Sequence, residues 1–152
     1  MDSIDKAIIA ILQRDSGTPV SEIAESVGLS QTPCWRRIKK LEDEGVIDHR
    51  VALLSRTSLN LNLTAFISVK TAQHSDAWLK KFADAIRRIP QVVEVHRMSG
   101  EVDYLMKVVA PDMAEFYRIY KRLIAAADFA DVTSTFSMEV MKETTELPLD
   151  YV

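Results

Sequence analysis

The chain has 152 residues, 47% of them hydrophobic and 27% charged, and carries a formal net charge of −3. Its length allows one ordinary domain or two small ones, and its composition is typical of a soluble globular protein. A single cysteine excludes a disulfide framework and a thiolate metal site, no metal or cofactor is expected, and no apolar run approaches the roughly 20 residues that cross a bilayer.

Two helices are predicted at the start of the chain. Apolar residues recur at helical spacing from Ser3 to Leu12, and the turn signal at residues 16–19 ends that helix. A second helix is predicted over about residues 21–27. Because Asp2 and Asp5 place acids in this first segment, it does not resemble a signal peptide, and a cytoplasmic location is expected.

A third helix follows a glycine turn at residues 28–30. Ser30 is a good N-cap, Pro33 fits the first turn, and Gly45 is placed to cap the C-terminal end. At about 100° per residue, one narrow face of this helix is apolar and must be buried. That face holds Cys34, Ile38 and Leu41. A short helix, a glycine turn and a basic helix are typical of a helix-turn-helix, whose second helix lies in the DNA major groove.

The opposite face of the third helix supplies the candidate DNA contacts. Gln31, Thr32 and Arg36 are predicted to reach base edges, since the N-terminal residues of a recognition helix read bases. Arg36 suits guanine, and Gln31 suits adenine. The other candidates are Ser30, Trp35 and the phosphate-binding cations Arg37, Lys39 and Lys40. Two alternatives stay open, because basic helix faces are often merely solvated and Trp35 could belong to the core.

The net charge of −3 is unusual for a DNA-binding protein, which is often basic. Residues 1–54 contain seven Lys/Arg and nine Asp/Glu, so the positive charge is local and lies mainly at residues 36–40. One such helix would bind DNA weakly and with a steep dependence on salt. At least two copies are therefore needed, and a homo-oligomer is predicted.

The chain is predicted to consist of two domains joined by a linker. Residues 46–54 alternate loosely and are predicted to form a short strand, which makes residues 1–54 a winged helix-turn-helix domain. Residues 55–62 are polar without strong periodicity and are predicted to be a linker. Residues 63–152 then form the second domain.

The second domain has the pattern of an α+β, ferredoxin-like βαββαβ fold. Its predicted elements are strands over 63–70, 92–99, 102–110 and 132–141 and helices over 75–89 and 112–126. Gly100-Glu101 is a hairpin signal, and Asp112 with Glu115 is a capping-box signal. Several strands carry apolar residues on both faces while two helices cover only one, so a second copy is expected on the other face.

Several motifs resemble those of the Lrp/AsnC family, the leucine-responsive or feast/famine regulators. The resemblance covers Ile4 to Pro148 and is most specific at residues 32–37 (TPCWRR), with support at residues 99–104 (SGEVDY) and 142–149 (KETTELPL). Within the family, the chain is similar to the branch that includes the cysteine-detoxification activator, through motifs such as His74-Ser75 and residues 131–134.

This resemblance implies a transcription regulator that binds double-stranded DNA and senses a small amino acid. Family members dimerise through their C-terminal sheets, and dimers often assemble into tetramers or octamers. By resemblance, the effector-binding residues are Met98, Ser99, Gly100, Glu101, Asp103, Thr133 and Ser134. Gly100 would let the backbone approach the ligand, and Glu101 or Asp103 would meet an α-ammonium group. The alternative is that Gly100 only makes the hairpin turn and both acids are solvated.

The residues favour this function over two others. An enzyme is disfavoured because His49, His74 and His96 lie on different predicted elements and no nucleophile has a visible base partner. The second is a helix-turn-helix that serves as a protein-interaction module, with a stand-alone metabolite-sensing domain. The basic third helix favours DNA binding over that alternative.

Overall fold

A computed structural model describes residues 1–72 and 75–152, so His74 lies outside the described residues. The chain forms two compact units. The N-terminal unit comprises Met1–Leu53 and Met141–Val152, and the sheet unit comprises Leu54–Val140. The sequence interpretation assigned residues 141–152 to the second domain, whereas the structure groups them with the first unit. No helix in the described part of the chain is long and apolar enough to cross a membrane.

Three helices build the N-terminal unit: α1 (Ser3–Arg14), α2 (Val20–Ser26) and α3 (Gln31–Asp43). Their apolar faces meet in one core, where Ile8 and Cys34 are fully buried and Ile38 is nearly so. Gly28, with φ +69°, makes the turn before α3, and Gly45, with φ +72°, follows its end. Both positions need the left-handed backbone that glycine adopts without strain. The three predicted helices are therefore present with the predicted buried face.

The strand predicted over residues 46–54 is absent from the described structure. The N–H groups of Val46 and Ile47 both donate to the Leu41 carbonyl, which turns the chain tightly after α3. Val51 and Leu53 are exposed, and no neighbouring strand pairs with this segment within the described residues of one chain. A strand requires a partner for its backbone hydrogen bonds, so the prediction of a paired strand here is wrong for the single chain.

The C-terminal tail packs on α1 inside the N-terminal unit. The Gln13 side chain makes two hydrogen bonds to the backbone of Leu147. Its Nε2 donates to the carbonyl at 3.2 Å, and its Oε1 accepts from the N–H at 2.7 Å. Arg14 Nε lies 3.1 Å from Glu146 Oε2, and Leu149 packs against the helical core. The tail is therefore a structural part of this unit.

Replacing Gln13 with alanine is expected to release the tail. Both hydrogen bonds to Leu147 would be lost, at a cost of about 1 kcal/mol each at this exposed position. Hydrogen exchange should show faster exchange of the Leu147 amide, whereas Glu25→Ala on the exposed face of α2 should leave it unchanged. Equal protection of Leu147 in both variants would show that the Gln13 contact does not hold the tail.

The sheet unit is a four-stranded antiparallel sheet with two helices. The strands are β1 (Leu63–Lys70), β2 (Val92–Arg97), β3 (Tyr104–Ala110) and β4 (Asp131–Phe136), in the order β2-β3-β1-β4. The helices are α4 (Asp76–Arg87) and α5 (Met113–Ile124). This is the predicted ferredoxin-like βαββαβ arrangement, and the prediction is confirmed.

The hydrophobic core of the sheet unit lies between one sheet face and the two helices. Alternate strand residues such as Ile67 and Met106 point into it and meet Trp78 and Phe82 from α4. The opposite face, here called the open face, carries Phe66, Ser68, Lys70, Glu94, His96, Leu105, Lys107, Thr133 and Thr135. Within the described chain neither helix packs on the open face, and Phe66 remains 36% exposed there.

Several details of the sheet unit differ from the sequence prediction, and β2 and β3 are each two residues shorter at the hairpin than predicted. β4 ends at Phe136 rather than at Met141, because its antiparallel partner β1 begins at Leu63, and the Ser137 N–H makes a last bond to the Thr64 carbonyl near that start. The capping box of α5 forms only in part: Asp112 accepts from the Glu115 N–H, while the Glu115 carboxylate pairs with Arg118. The predicted linker is folded into turns, in which the Leu61 N–H donates to the Arg56 carbonyl.

Candidate DNA interface and effector region

The N-terminal turn of α3 presents polar side chains to solvent. Gln31, Thr32 and Arg36 are exposed, and Trp35 is 55% exposed, so Trp35 is not part of the core. Ser30 is the N-cap residue, but in the described structure its side chain makes no capping bond. One of the two backbone donors that such a cap can use is missing, because Pro33 at the third helical position has no N–H. The Ser30 hydroxyl therefore faces solvent beside the residues predicted to read bases.

The cations of α3 differ in their partners. Arg36 has no carboxylate within ion-pair distance among the described residues, whereas Lys39 Nζ lies 3.2 Å from Asp43 and Lys40 Nζ lies 3.8 Å from Glu44. The hydrogen bond to Asp43 raises the pKa of Lys39. Exposed i,i+4 pairs of this kind are weak, so a phosphate can replace either carboxylate at little cost.

Arg37 points toward α1 instead of toward solvent. Its Nη1 lies 2.7 Å from both Asp2 Oδ2 and Asp5 Oδ1. The hydrogen bonds to Asp5 and Asp2 raise the pKa of Arg37, and the Asp5 backbone N–H together with Arg37 lowers the pKa of Asp2. The side chain predicted to contact a phosphate is thus held by two carboxylates of α1.

The predicted effector hairpin joins β2 to β3 and is fastened to the end of β1. Gly100 has φ +124°, a conformation that side-chain-bearing residues rarely adopt. The Met98 N–H donates to the Asp103 carbonyl at 2.8 Å, and Asp103 Oδ2 accepts from the Thr71 N–H at 2.8 Å. Glu101 pairs with Lys70 at 3.0 Å. The two acids predicted to be solvated or ligand-binding thus both have partners, and Asp103 also orders the backbone after β1.

The other predicted effector residues lie on β4, beyond β1. Thr133 pairs with Ser68 on the open face, and Ser134 pairs with Ile67 on the helix-covered face. Adjacent strand residues point to opposite faces, so Thr133 and Ser134 do not share a surface. The Ser134 hydroxyl is buried with no hydrogen-bond partner in the described structure. Since β1 separates β4 from the hairpin by about 10 Å, one chain does not join the two groups directly.

The two histidines in the described part of the chain, His49 and His96, lie on separate units and do not form a reactive group. His49 lies 2.7 Å from Asp48 in the N-terminal unit, and His96 lies 3.5 Å from Glu94 on the open face. Glu94 also pairs with Lys107 at 2.9 Å, and that hydrogen bond lowers the pKa of Glu94. No group of three or more potential metal ligands occurs among residues 1–72 and 75–152.

A helix-turn-helix unit followed by a ferredoxin-like domain defines a class of DNA-binding regulators with a ligand-binding domain. Comparison with protein families supports each half. A winged helix-turn-helix DNA-binding model matches residues 1–48, and the Lrp/AsnC ligand binding domain model matches residues 64–147. The chain belongs to the Lrp/AsnC family of transcription regulators, which are not enzymes.

Full-length relatives agree with this assignment. The chain is 43% identical over 151 residues to the DNA-binding transcriptional activator DecR of Escherichia coli (strain K12), covering 99% of each sequence. It superposes on the crystal structure of an AsnC family transcriptional regulator from Agrobacterium tumefaciens with a TM-score of 0.95, at 54% identity over 99% of both chains. A Neisseria meningitidis transcriptional regulator in complex with L-Met gives a TM-score of 0.94 at 37% identity, over 99% of this chain and 98% of that one.

Proposed function

We propose that the protein is a sequence-specific transcription regulator that places α3 in the DNA major groove. The observation that carries this proposal is the exposed turn at the start of α3, where Arg36 stands unpaired among the described residues. Gln31, Thr32 and Arg36 are assigned to base edges, and Ser30, Trp35, Lys39 and Lys40 to the sugar–phosphate backbone. The cytoplasmic location stays a prediction.

We further propose that the working form is a homo-oligomer, a dimer or an assembly of dimers. The N-terminal unit is rich in acids, so one copy of α3 offers few charges to DNA. The open face of the sheet carries half-exposed apolar residues such as Phe66, which a second copy would cover. A two-fold dimer would present two recognition helices to two half-sites.

The effector is proposed to be a small amino acid bound at the β2–β3 hairpin. The Neisseria relative was solved with L-Met, which supports this ligand class. Glu101 and Asp103 supply negative charge for an α-ammonium group, and Gly100 allows close approach of the backbone. Because β1 separates this hairpin from Thr133 and Ser134, we propose that residues of a second copy complete the pocket.

Asp103→Asn is expected to abolish the amino-acid response without unfolding the protein. Asparagine keeps an oxygen to accept from the Thr71 N–H but removes the charge that would meet an α-ammonium group. A thermal-shift screen of amino acids on the wild type identifies the ligand first, because a bound ligand raises the melting temperature. The variant should melt normally and show no shift.

The control for that variant is Asp84→Asn on α4, which removes the same charge from the same unit. It should keep the full thermal shift. An unchanged shift in Asp103→Asn would remove Asp103 from the effector site.

DNA binding is tested by enriching duplexes from a random pool and measuring mobility of the selected sequence. Tight binding to the selected duplex, with weak binding to a scrambled one, is expected. Failure to enrich any duplex would favour the alternative, a protein-interaction module with a metabolite-sensing domain.

A further inference from the structure

We propose that Arg37, Asp2 and Asp5 form a positioning network that fixes the recognition helix α3 on α1 and makes no contact with DNA. This inference rests on the proposed DNA-binding function. It assigns Arg37 a role different from the phosphate contact that the sequence predicts. The sequence shows Arg37 as one of four cations in a run, and only the structure separates it from the others.

The network uses every carboxylate oxygen of the two acids. Asp2 and Asp5 form the capping box of α1, in which the Asp5 N–H donates to Asp2 Oδ1 at 2.9 Å and the Asp2 N–H donates to Asp5 Oδ2 at 3.1 Å. The remaining oxygens, Asp2 Oδ2 and Asp5 Oδ1, both accept from Arg37 Nη1 at 2.7 Å. A residue of α3 thereby closes the N-terminus of α1.

Burial makes this contact different from the lysine pairs on the same helix. The Asp5 side chain is 11% exposed and that of Arg37 is 32% exposed, whereas the Lys39–Asp43 and Lys40–Glu44 pairs are more than half exposed on both sides. If Arg37 moved to a phosphate, it would leave Asp5 as a buried carboxylate without its cation, which is strongly unfavourable. Lys39 and Lys40 have no such restraint.

Charge balance leads to the same conclusion. Two carboxylates surround one guanidinium, so the network as a whole is not positive and attracts no phosphate. The salt dependence of DNA binding should therefore contain no contribution from Arg37, although positions 36 to 40 contain four cations. The orientation of the helix that carries Arg36 should instead depend on the network.

The experiment compares Arg37→Met with Lys39→Met on the selected duplex and on random DNA across a series of salt concentrations. Lys39→Met should weaken binding to both and reduce the slope of log K against log salt by about 0.9, the value for one phosphate. Arg37→Met should keep the wild-type slope and the random-DNA affinity but lose about tenfold or more on the selected duplex, the loss expected when a base contact is misplaced. A slope reduced as in Lys39→Met would overturn the proposal.

Asp5→Asn gives an independent test, because the two possible roles of Arg37 predict opposite changes in DNA affinity for this variant. If Arg37 positions α3, weakening its partner should lower affinity for the selected duplex; if Arg37 is a restrained phosphate contact, releasing it should raise affinity and steepen the slope. Arg37→Lys, which keeps one charged donor, should restore most of the preference for the selected duplex.

Each affinity is normalised to the fraction of active protein. If Asp5→Asn does not fold, Asp2→Asn at the more exposed acid replaces it. If Arg37→Met does not fold, Arg37→Lys replaces it. Equal losses on selected and random DNA would contradict positioning. Failure of the wild-type protein to prefer any duplex would instead contradict the proposed function.

Discussion

Arg36→Met is expected to weaken binding to the selected duplex by about 1–3 kcal/mol, which is roughly a 5- to 150-fold loss. Arg36 is exposed on α3 and has no carboxylate partner among the described residues, so its guanidinium is available for the two acceptors of a guanine. Methionine keeps helix propensity and side-chain length, and the melting temperature should not change. Binding isotherms on the selected duplex and on duplexes substituted at each position would measure the effect.

The matched control is Lys80→Met on α4, which removes the same charge from an exposed position of the sheet unit. It should leave DNA affinity nearly unchanged. In Arg36→Met, the preference for one base pair should relax while the others persist. Equal losses on selected and random DNA would make Arg36 a phosphate contact, and no loss on either would remove it from the interface.

Phe82→Ala is expected to lower the free energy of unfolding of the sheet unit by about 3–5 kcal/mol. Phe82 is 2% exposed, and its ring lies 5.0 Å from those of both Trp78 and Tyr104 and 5.7 Å from that of Phe129. Removing it leaves a cavity where α4 meets the sheet. The amino-acid response should be lost with the fold of this unit.

Urea unfolding followed by tryptophan fluorescence would measure this loss. The chain has two tryptophans, and in a Trp35→Phe background the signal comes from Trp78, which is buried beside Phe82. The control is Leu79→Ala on the same helix, where the side chain is 39% exposed and a loss of about 1 kcal/mol is expected. If the two variants lost similar stability, the aromatic cluster would not be the core of the unit.

The parts of the fold that the sequence predicted well depend on local chemistry. The apolar repeats of α1, α3 and α4 have helical periods, and Asp112, predicted to cap α5, does so with its own side chain. The order of strands and helices then limits the topology to a few choices, of which the ferredoxin-like sheet is one. These features need no information from distant residues.

The features that the sequence did not predict depend on distant or intermolecular partners. The tail contact joins Gln13 to Leu147, which lie 134 residues apart. No sequence pattern around either residue indicates that the two are in contact. Residues 46–54 alternate like a strand, but within the described residues of one chain no strand pairs with them. Periodicity indicates which face of a segment is apolar, but it does not indicate which other element packs on that face.

The candidate site shows the same division. Exposure of Gln31, Thr32 and Arg36 follows from helical geometry, which the sequence provides. The partners of Arg37 do not follow from α3 alone, because they lie on α1 and require its packing to be known. The placement of Thr133 and Ser134 on opposite faces follows from strand alternation, whereas the resemblance implies that both belong to one effector site.

The most direct test of paired copies acting on DNA is the mass of the complex in sedimentation velocity. Purified protein would be mixed with the selected duplex and with a duplex carrying only half of its sequence. At least two chains of 17.2 kDa are expected on the full duplex, with much weaker binding to the half duplex. A single chain bound to the full duplex, with the same affinity for the half duplex, would contradict the proposal that paired recognition helices carry the function.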